Sequence, residues 1–174
     1  MTTEHDPTCA VAHGEGEIRH QATGLTLVAV FASPVAGFLL SFGRGLGYRT
    51  VLYEPDTARA GAVADADLGV TSELPELDGT TEVVVTDHHR PELGPALRDV
   101  LAYPVRWVGL MGNPRVPGPH IEALKELNVS ADDIARVHRP VGLNIGSRTP
   151  PEIALATLAG LLADRTGRPG GFEF

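Results

Sequence analysis

The chain of 174 residues, 43% of them hydrophobic, is long enough for one domain with a proper core and too short for two large ones. A formal net charge of -8, with the basic residues scattered, argues against a nucleic-acid-binding surface, which needs clustered Lys and Arg. The single cysteine, Cys9, excludes an intrachain disulfide, and no apolar run is long enough for a membrane span or a secretory signal, so we expect a cytoplasmic protein.

Residues 1–24 are polar and lack periodicity, which predicts a polar N-terminal arm. This arm contains side chains that can bind metals, but their spacing matches no zinc pattern: His5, Cys9, His13 and His20. The folded domain is predicted over residues 25–170, where short apolar runs alternate with segments of helical periodicity. Strands are predicted at 25–31, 48–54, 67–70, 81–86 and 105–110, and helices at 34–44, 91–101, 119–127 and 150–165.

This alternation predicts an α/β fold: a Rossmann-like three-layer sandwich with a mostly parallel sheet and helices on both faces. In such folds, ligands bind beyond the carboxyl ends of the strands. We therefore expect the functional residues in the loops that follow the predicted strands, at 32–34, 54–56, 87–90 and 111–115.

The first strand, its turn and Glu54 have the layout of a dinucleotide-binding unit, because a carboxylate about 20 residues after the turn can bond a ribose hydroxyl. Ser33 lies in that turn, and we expect both residues to contact a cofactor. However, the turn Ala32-Ser33-Pro34 lacks the glycines of an ordinary pyrophosphate-binding loop, and Pro34 removes an amide donor. NAD(P) is therefore a less favoured cofactor.

Asp87, His88 and His89 follow a central predicted strand and suit metal ligation or acid/base chemistry near neutral pH. The alternative is that Asp87 caps the next turn while one histidine faces solvent. The Asp-His-His sequence resembles a motif of manganese-dependent phosphoesterases, but the acidic motifs that this family carries on earlier strands do not occur here. We expect these residues to contact a ligand without holding a metal.

Two Gly-rich turns, each carrying an arginine, flank the helix predicted at 119–127. The first turn contains Gly112, Asn113 and Arg115, and the second ends in Ser147 and Arg148. Gly112 allows close approach of a ligand, and arginine binds phosphate in a fixed geometry.

A capping box of Thr149 and Glu152 predicts that a helix starts at about residue 150. Because helix N-termini attract anions, Ser147 and Arg148 could hold a phosphate there. The alternative is a well-capped buried helix that binds nothing.

The segments 53–56 (Tyr-Glu-Pro-Asp), 85–88 (Val-Thr-Asp-His), 108–112 (Val-Gly-Leu-Met-Gly) and 130–154 occur in an order that resembles the C-terminal domain of the XdhC/CoxI family. The last segment, which includes Arg-Pro-Val-Gly-Leu-Asn-Ile-Gly-Ser-Arg-Thr-Pro-Pro-Glu at 139–152, is long and specific. The resemblance runs from about residue 25 to residue 167. It implies a Rossmann-like domain of an accessory protein that binds the molybdenum cofactor, supports its sulfuration and passes it to a molybdenum hydroxylase.

The sequence departs from the family pattern at three places. The Gly-Ala-Gly turn of the family corresponds to Ala32-Ser33-Pro34, and its Gly-Ser-Arg-Arg turn to Gly112-Asn113-Pro114-Arg115. The family's N-terminal domain, with its Gly-Gly-Cys motif, has no counterpart in this sequence. A separate partner protein of that type could supply it.

The resemblance favours a non-catalytic carrier of the molybdenum cofactor. We expect Arg115 and Arg148 to hold the phosphate of the pterin, and Asp87 with His88 or His89 to bond its polar edges. Expected partners are the apoenzyme of a xanthine dehydrogenase or carbon monoxide dehydrogenase type hydroxylase, a cysteine desulfurase or the N-terminal-type protein, and a second copy in a homodimer. The alternatives are an NAD(P)-dependent oxidoreductase and a metal-dependent phosphoesterase.

Overall fold

The computed structural model describes residues 23–63, 69–113 and 115–171. The predicted N-terminal arm, with its histidines and Cys9, lies outside these ranges except for its last two residues. No helix in the described ranges is long and apolar enough to cross a membrane.

The described residues form strands and helices in close alternation. In chain order these are β1 (Thr26–Val30), α1 (Pro34–Gly45), β2 (Arg49–Tyr53), α2 (Thr57–Ala62), β3 (Val70–Thr71), β4 (Thr81–Val85), α3 (Leu93–Leu101), β5 (Trp107–Leu110), α4 (Pro119–Glu126), α5 (Ala131–Ala135), β6 (Val137–His138) and α6 (Pro150–Thr166). The strands pair in parallel in the order β3-β2-β1-β4-β5-β6. This arrangement confirms the predicted Rossmann-like fold, because a parallel sheet in the order 3-2-1-4-5-6 is typical of that fold.

The core has one layer on each side of the sheet. Every residue of β1 and β4 is buried, as expected for central strands covered on both faces. Within β1, Val28 and Val30 pack with α3 and Leu124 of α4, whereas Leu27 and Ala29 pack with α1 and α6. The period of two along the strand therefore supplies both cores.

Three elements are absent from the sequence prediction: α2, α5 and β6. They contain six, five and two residues, too few to show a hydrophobic period. The two short helices depend on side-chain caps instead. Asp56 accepts from the amides of Ala58 and Arg59, and Ser130 accepts from the amide of Asp133.

A buried polar network joins the last turn of α6 to the amino-terminal edge of the sheet. The carboxylate of Glu82, a fully buried residue of β4, accepts from the Tyr48 hydroxyl at 2.7 Å and from Arg106 Nε at 2.6 Å. Arg106 also pairs with Asp164, and Arg165 donates to the Tyr48 hydroxyl at 2.9 Å. Burial and the hydrogen bond to Glu82 raise the pKa of Tyr48, which keeps its hydroxyl a donor. The network therefore fixes the C-terminal end of α6 at the amino-terminal edge of the sheet. The N-terminal end of this helix lies at the carboxyl edge.

Glu82→Gln should lower the free energy of unfolding by about 3 kcal/mol, because it leaves Arg106 without a buried carboxylate. Asp164→Asn is the matched control, since it removes the exposed partner of the same arginine and should cost less than about 1 kcal/mol. Urea unfolding of both variants measures the difference. Equal losses would contradict a special contribution from the buried carboxylate.

Candidate functional site

A cavity of about 620 Å³ opens at the carboxyl edge of the sheet, beside the ends of β4, β5 and β6. We refer to it as the strand-end cavity. Its lining comprises Thr86 and His88 after β4, Met111, Gly112 and Arg115 after β5, residues 140–144 and Ser147 after β6, and Val35 and Ile153 from the first turns of α1 and α6. The cavity thus lies where parallel α/β folds bind ligands, but toward the β5 and β6 side.

One wall of the cavity is fixed by the close approach of a loop to α6. Gly142 has a left-handed backbone (φ +80°), and a Cβ there would lie 2.9 Å from backbone atoms of Ala156 and Thr157. A Cβ on Gly160 would likewise lie 2.8 Å from the Cα of Gly142. Both glycines are required for this contact, because any side chain would push the loop away from the helix.

The β1 and β2 side of the same edge is filled by a buried ion pair. Arg90, from the loop after β4, donates to both oxygens of Glu54 at the end of β2, at 2.7 and 3.1 Å. The same carboxylate accepts from the amides of Ala32 and Asp56, at 2.8 and 3.1 Å. Every oxygen of this fully buried carboxylate is therefore engaged within the protein. The expected contact of Glu54 with a cofactor stays a prediction, and it requires this pair to open.

Phe31, the residue that follows β1, has a backbone conformation that usually requires glycine. Its φ is +74°, a left-handed conformation that a bulky side chain adopts only at a cost. The ring is fully buried, and the Arg90 guanidinium lies 4.8 Å from its centroid, so core packing and a cation–π contact offset that cost. The position that calls for glycine is therefore Phe31, one residue before the turn identified from the sequence.

Ser33 acts as the N-cap of α1. Its hydroxyl accepts from the amide of Ala36 at 3.1 Å and donates to the Thr86 hydroxyl at 3.0 Å. Thr86 in turn donates to the carbonyl of Phe31 at 2.8 Å. This chain ties the ends of β1 and β4 together and leaves Ser33 outside the lining of the strand-end cavity.

Arg90→Met should destabilise the protein by about 3–5 kcal/mol, because it leaves the Glu54 carboxylate buried without a cation. The double variant Glu54→Gln with Arg90→Met should recover a large part of that loss, since it removes both charges. Thermal or urea unfolding of the two singles and the double completes the cycle. Additive losses would show that the pair is not coupled.

Asp87, His88 and His89 are adjacent in sequence but have different surroundings in the structure. A carboxylate oxygen of Asp87 accepts from the amide of His89 at 2.9 Å, so it closes the turn, and His89 is exposed. Only His88 lines the cavity. Within the described residues, no three His, Cys, Asp or Glu side chains come together in a way that could hold a metal ion.

The ring of His88 favours its neutral form. Burial, the neighbouring His89 and the positive charge of Arg139 lower the pKa of His88, while Asp87 and a hydrogen bond with the backbone of Met111 act in the opposite direction. A neutral imidazole has one donor and one acceptor nitrogen. His88 is therefore suited to hydrogen bonding with a polar ligand rather than to charge pairing.

The turn after β5 presents Arg115 at the cavity. The side-chain oxygen of Asn113 accepts from the amide of Arg115 at 3.0 Å and shapes the turn, while Asn113 itself is exposed and lies outside the lining. The guanidinium of Arg115 makes no hydrogen bond or ion pair with the other described residues. It is therefore available to an anion.

The first turn of α6 is closed by its own carboxylate. Glu152 accepts from the amides of Arg148 and Thr149, at 2.8 and 3.0 Å, which confirms the predicted capping box. These two amides are thus taken, so an anion near this helix must be held by side chains. Ser147 lines the cavity, whereas Arg148 is exposed and lies outside its lining.

Four of the ten expected ligand contacts therefore line one cavity: His88, Gly112, Arg115 and Ser147. The other six lie outside its lining, and whether they contact a ligand stays a prediction: Ser33, Glu54, Asp87, His89, Asn113 and Arg148. Sequence reasoning missed the apolar part of the lining and the loop 140–144. That loop follows β6, whose two residues give no signal of their own.

His120, the second residue of α4, is 5% exposed, and its buried Nδ1 finds no hydrogen-bond partner among the described parts of the chain. Burial and the positive charge of Arg139 lower the pKa of His120 below its ordinary value of 6.5. The unfolded chain therefore binds a proton at a higher pH than the folded protein does, and folding is favoured above that pH.

We expect the free energy of unfolding to fall as the pH decreases below 6.5, in part because His120 must become charged in a buried position. In His120→Gln this part of the pH dependence should be lost, giving a flatter profile between about pH 7.5 and about pH 5.5. Urea unfolding at several pH values measures the slope. A slope identical to that of the wild type would contradict the assignment.

Comparison with known proteins gives the same picture of the fold. The family model of the XdhC Rossmann domain matches residues 27–161. YqeB of Escherichia coli (strain K12), described as an uncharacterized protein, is 41% identical over 76 residues, which are 44% of this chain and 14% of YqeB. A crystal structure from Bacillus halodurans, described as a xanthine dehydrogenase, superposes with a TM-score of 0.63 at 22% identity and covers 82% of this chain and 45% of that one.

The chain thus spans less than half the length of both relatives. The family model, in contrast, covers the whole sheet from β1 and most of α6. On this match, the chain belongs to the XdhC family through its Rossmann domain.

Proposed function

We propose that this domain binds the molybdenum cofactor in the strand-end cavity and serves as an accessory carrier in the maturation of a xanthine dehydrogenase type molybdenum hydroxylase. The observation that supports this best is that the cavity of this XdhC-family domain has Arg115 in its lining, and that this cation has no ion-pair partner among the described residues. The relation to a protein described as a xanthine dehydrogenase points to the same class of client.

The cavity suits a planar pterin with a phosphate group. Its volume of about 620 Å³ falls in the range of small-molecule sites. Apolar side chains, among them Met111, Val141 and Ile153, offer contacts to the faces of a ring. The Ser147 hydroxyl is available to the edges of the ring, and the Thr86 hydroxyl, which already bonds Ser33 and Phe31, can still accept one hydrogen bond. A neutral His88, bonded to the backbone of Met111 through its N–H, offers its other ring nitrogen as an acceptor.

The phosphate requires a cation, because the amides at the start of α6 are already bonded to Glu152. Arg115 lies in the lining and can bind phosphate oxygens with two N–H groups. Gly112 keeps the approach to this turn free of a side chain. Arg148, exposed beside Ser147, is placed to add a second cation if its side chain turns inward.

The role that follows is binding and protection of the cofactor, with transfer to a client apoenzyme. Further expected partners are a cysteine desulfurase, which would supply sulfur to the cofactor, and a separate protein of the N-terminal XdhC type. We also expect that two copies of the chain can form a homodimer. The domain's own residues supply hydrogen bonds, a cation and apolar shielding, and none of them is assigned a catalytic step.

Calorimetric titration of the purified chain with molybdenum cofactor, NAD(P)H and Mn²⁺ tests the proposal directly. We expect saturable binding of the molybdenum cofactor and weak or no binding of NAD(P)H, because Phe31 and the Glu54–Arg90 pair fill the dinucleotide position. Tight NAD(P)H binding would favour an oxidoreductase. Stoichiometric Mn²⁺ with phosphodiester hydrolysis, both lost in Asp87→Ala, would favour a phosphoesterase.

Arg115→Ala should weaken cofactor binding by about tenfold or more, since a hydrogen-bonded charge pair with phosphate is lost. The melting temperature should stay close to that of the wild type, because the exposed side chain makes no hydrogen bond or ion pair with another described residue. Arg98→Ala is the matched control, as it removes an exposed arginine from the last turn of α3, at the opposite edge of the sheet. Equal affinities in Arg115→Ala and wild type would remove this residue from the site.

A further inference from the structure

Arg139 connects the two walls of the strand-end cavity. It immediately precedes the loop 140–144, which forms one wall, and its guanidinium reaches the turn after β5, which forms the other. It donates to the carbonyl of Asn113 at 2.9 Å and to the carbonyl of Val116 at 2.7 Å. These two carbonyls flank Arg115, so the bonds fix the turn on both sides of that residue.

The guanidinium also packs directly on Gly112. A Cβ at that position would lie 2.8 Å from one terminal nitrogen of Arg139 and 2.9 Å from its Nε. A side chain at position 112 would therefore force the Arg139 guanidinium to shift from its present place. This contact is independent of any contact with a ligand.

The charge of Arg139 has no counterion within residues 23–63, 69–113 and 115–171. No carboxylate in the described ranges pairs with it, and its Nε is buried with no hydrogen-bond acceptor. A side chain that only links two backbone segments needs hydrogen-bond donors for their carbonyl groups, but it does not need a net charge. An anionic ligand in the adjacent cavity would supply the charge partner that this half-buried arginine does not find among the described residues.

Arg136, three residues earlier, shows the contrast. It also donates to two backbone carbonyls, those of Leu101 at 2.8 Å and Tyr103 at 2.7 Å. Its charge, however, is compensated by Asp133 at 3.1 Å. The two arginines make the same kind of bridge, but only Arg136 has a carboxylate partner among the residues that the structure describes.

We propose that Arg139 is a positioning residue of the strand-end cavity, which holds the Arg115 turn against the opposite wall and provides an uncompensated positive charge that favours an anionic ligand. This inference rests on the proposed function, because the anion would be the phosphate of the pterin. Arg139 would act by holding the turn of Arg115 and by the electrostatic field of its own charge. It does not have to contact the ligand.

The test compares Arg139→Lys, Arg139→Met and the matched control Arg136→Met. The probes are a pterin phosphate and the same pterin without its phosphate, each titrated calorimetrically. Arg139→Met should weaken binding of the phosphorylated probe by about tenfold or more, with a smaller effect on the neutral probe. Arg139→Lys should recover only part of the affinity, because an ammonium lacks the planar fork that bridges two carbonyls. Arg136→Met should leave both affinities at the wild-type value.

A second readout is the pKa of His88, followed by NMR. It should rise in Arg139→Met, because a positive charge near the ring is removed, and stay unchanged in Arg136→Met. A merely structural role of Arg139 would not predict this selective shift.

The outcomes separate the two proposals. If the wild type binds the phosphorylated probe and Arg139→Met binds it equally well, the inference is wrong and the proposed function stands. If the wild type binds neither probe, the proposed function fails. The inference is then decided by the pKa of His88 and by titration with inorganic phosphate: an unchanged pKa overturns it, and a raised pKa with loss of phosphate binding supports it.

Discussion

A buried ion pair between Glu54 and Arg90 spans the carboxyl ends of three neighbouring strands. Arg90 leaves the loop after β4, passes over the Phe31 ring at the end of β1 and reaches the carboxylate after β2. In an ordinary dinucleotide-binding sheet this space belongs to the cofactor. Here protein groups occupy it, so the open part of the edge lies between β4, β5 and the segment after β6.

The position of the strand-end cavity, toward β5 and β6, depends on contacts that lie far apart in the chain. Gly142 and Gly160 allow the loop 140–144 to rest on α6, and that helix is fixed at its far end by the Glu82 network. Arg139 then ties the same loop to the turn that carries Arg115. The geometry of the cavity thus depends on contacts at both edges of the sheet.

The sequence predicts the sheet and its helices because short apolar runs and helix caps are local signals: β1 and β4 show the runs, and the start of α6 shows a capping box. The residues of the candidate site can be predicted from such local signals only in part. His88, Gly112 and Arg115 follow strands directly, so their position at the edge could be inferred from topology. Glu54 was expected to face a cofactor, and nothing near it in the chain shows that its partner lies 36 residues later. Arg139 follows a strand of two residues, which leaves no pattern from which its place could be derived.

The carboxylate of Glu152 has a consequence for how long a ligand stays bound. By occupying the amides at the start of α6, it removes the stationary dipolar groups that retain phosphate in many nucleotide-binding proteins. Under the proposed function, a phosphate in the strand-end cavity would be held mainly by arginine side chains near water, whose attraction is screened by salt. We would then expect the ligand to exchange quickly and its residence time to shorten as the ionic strength rises, without any part of the fold having to open.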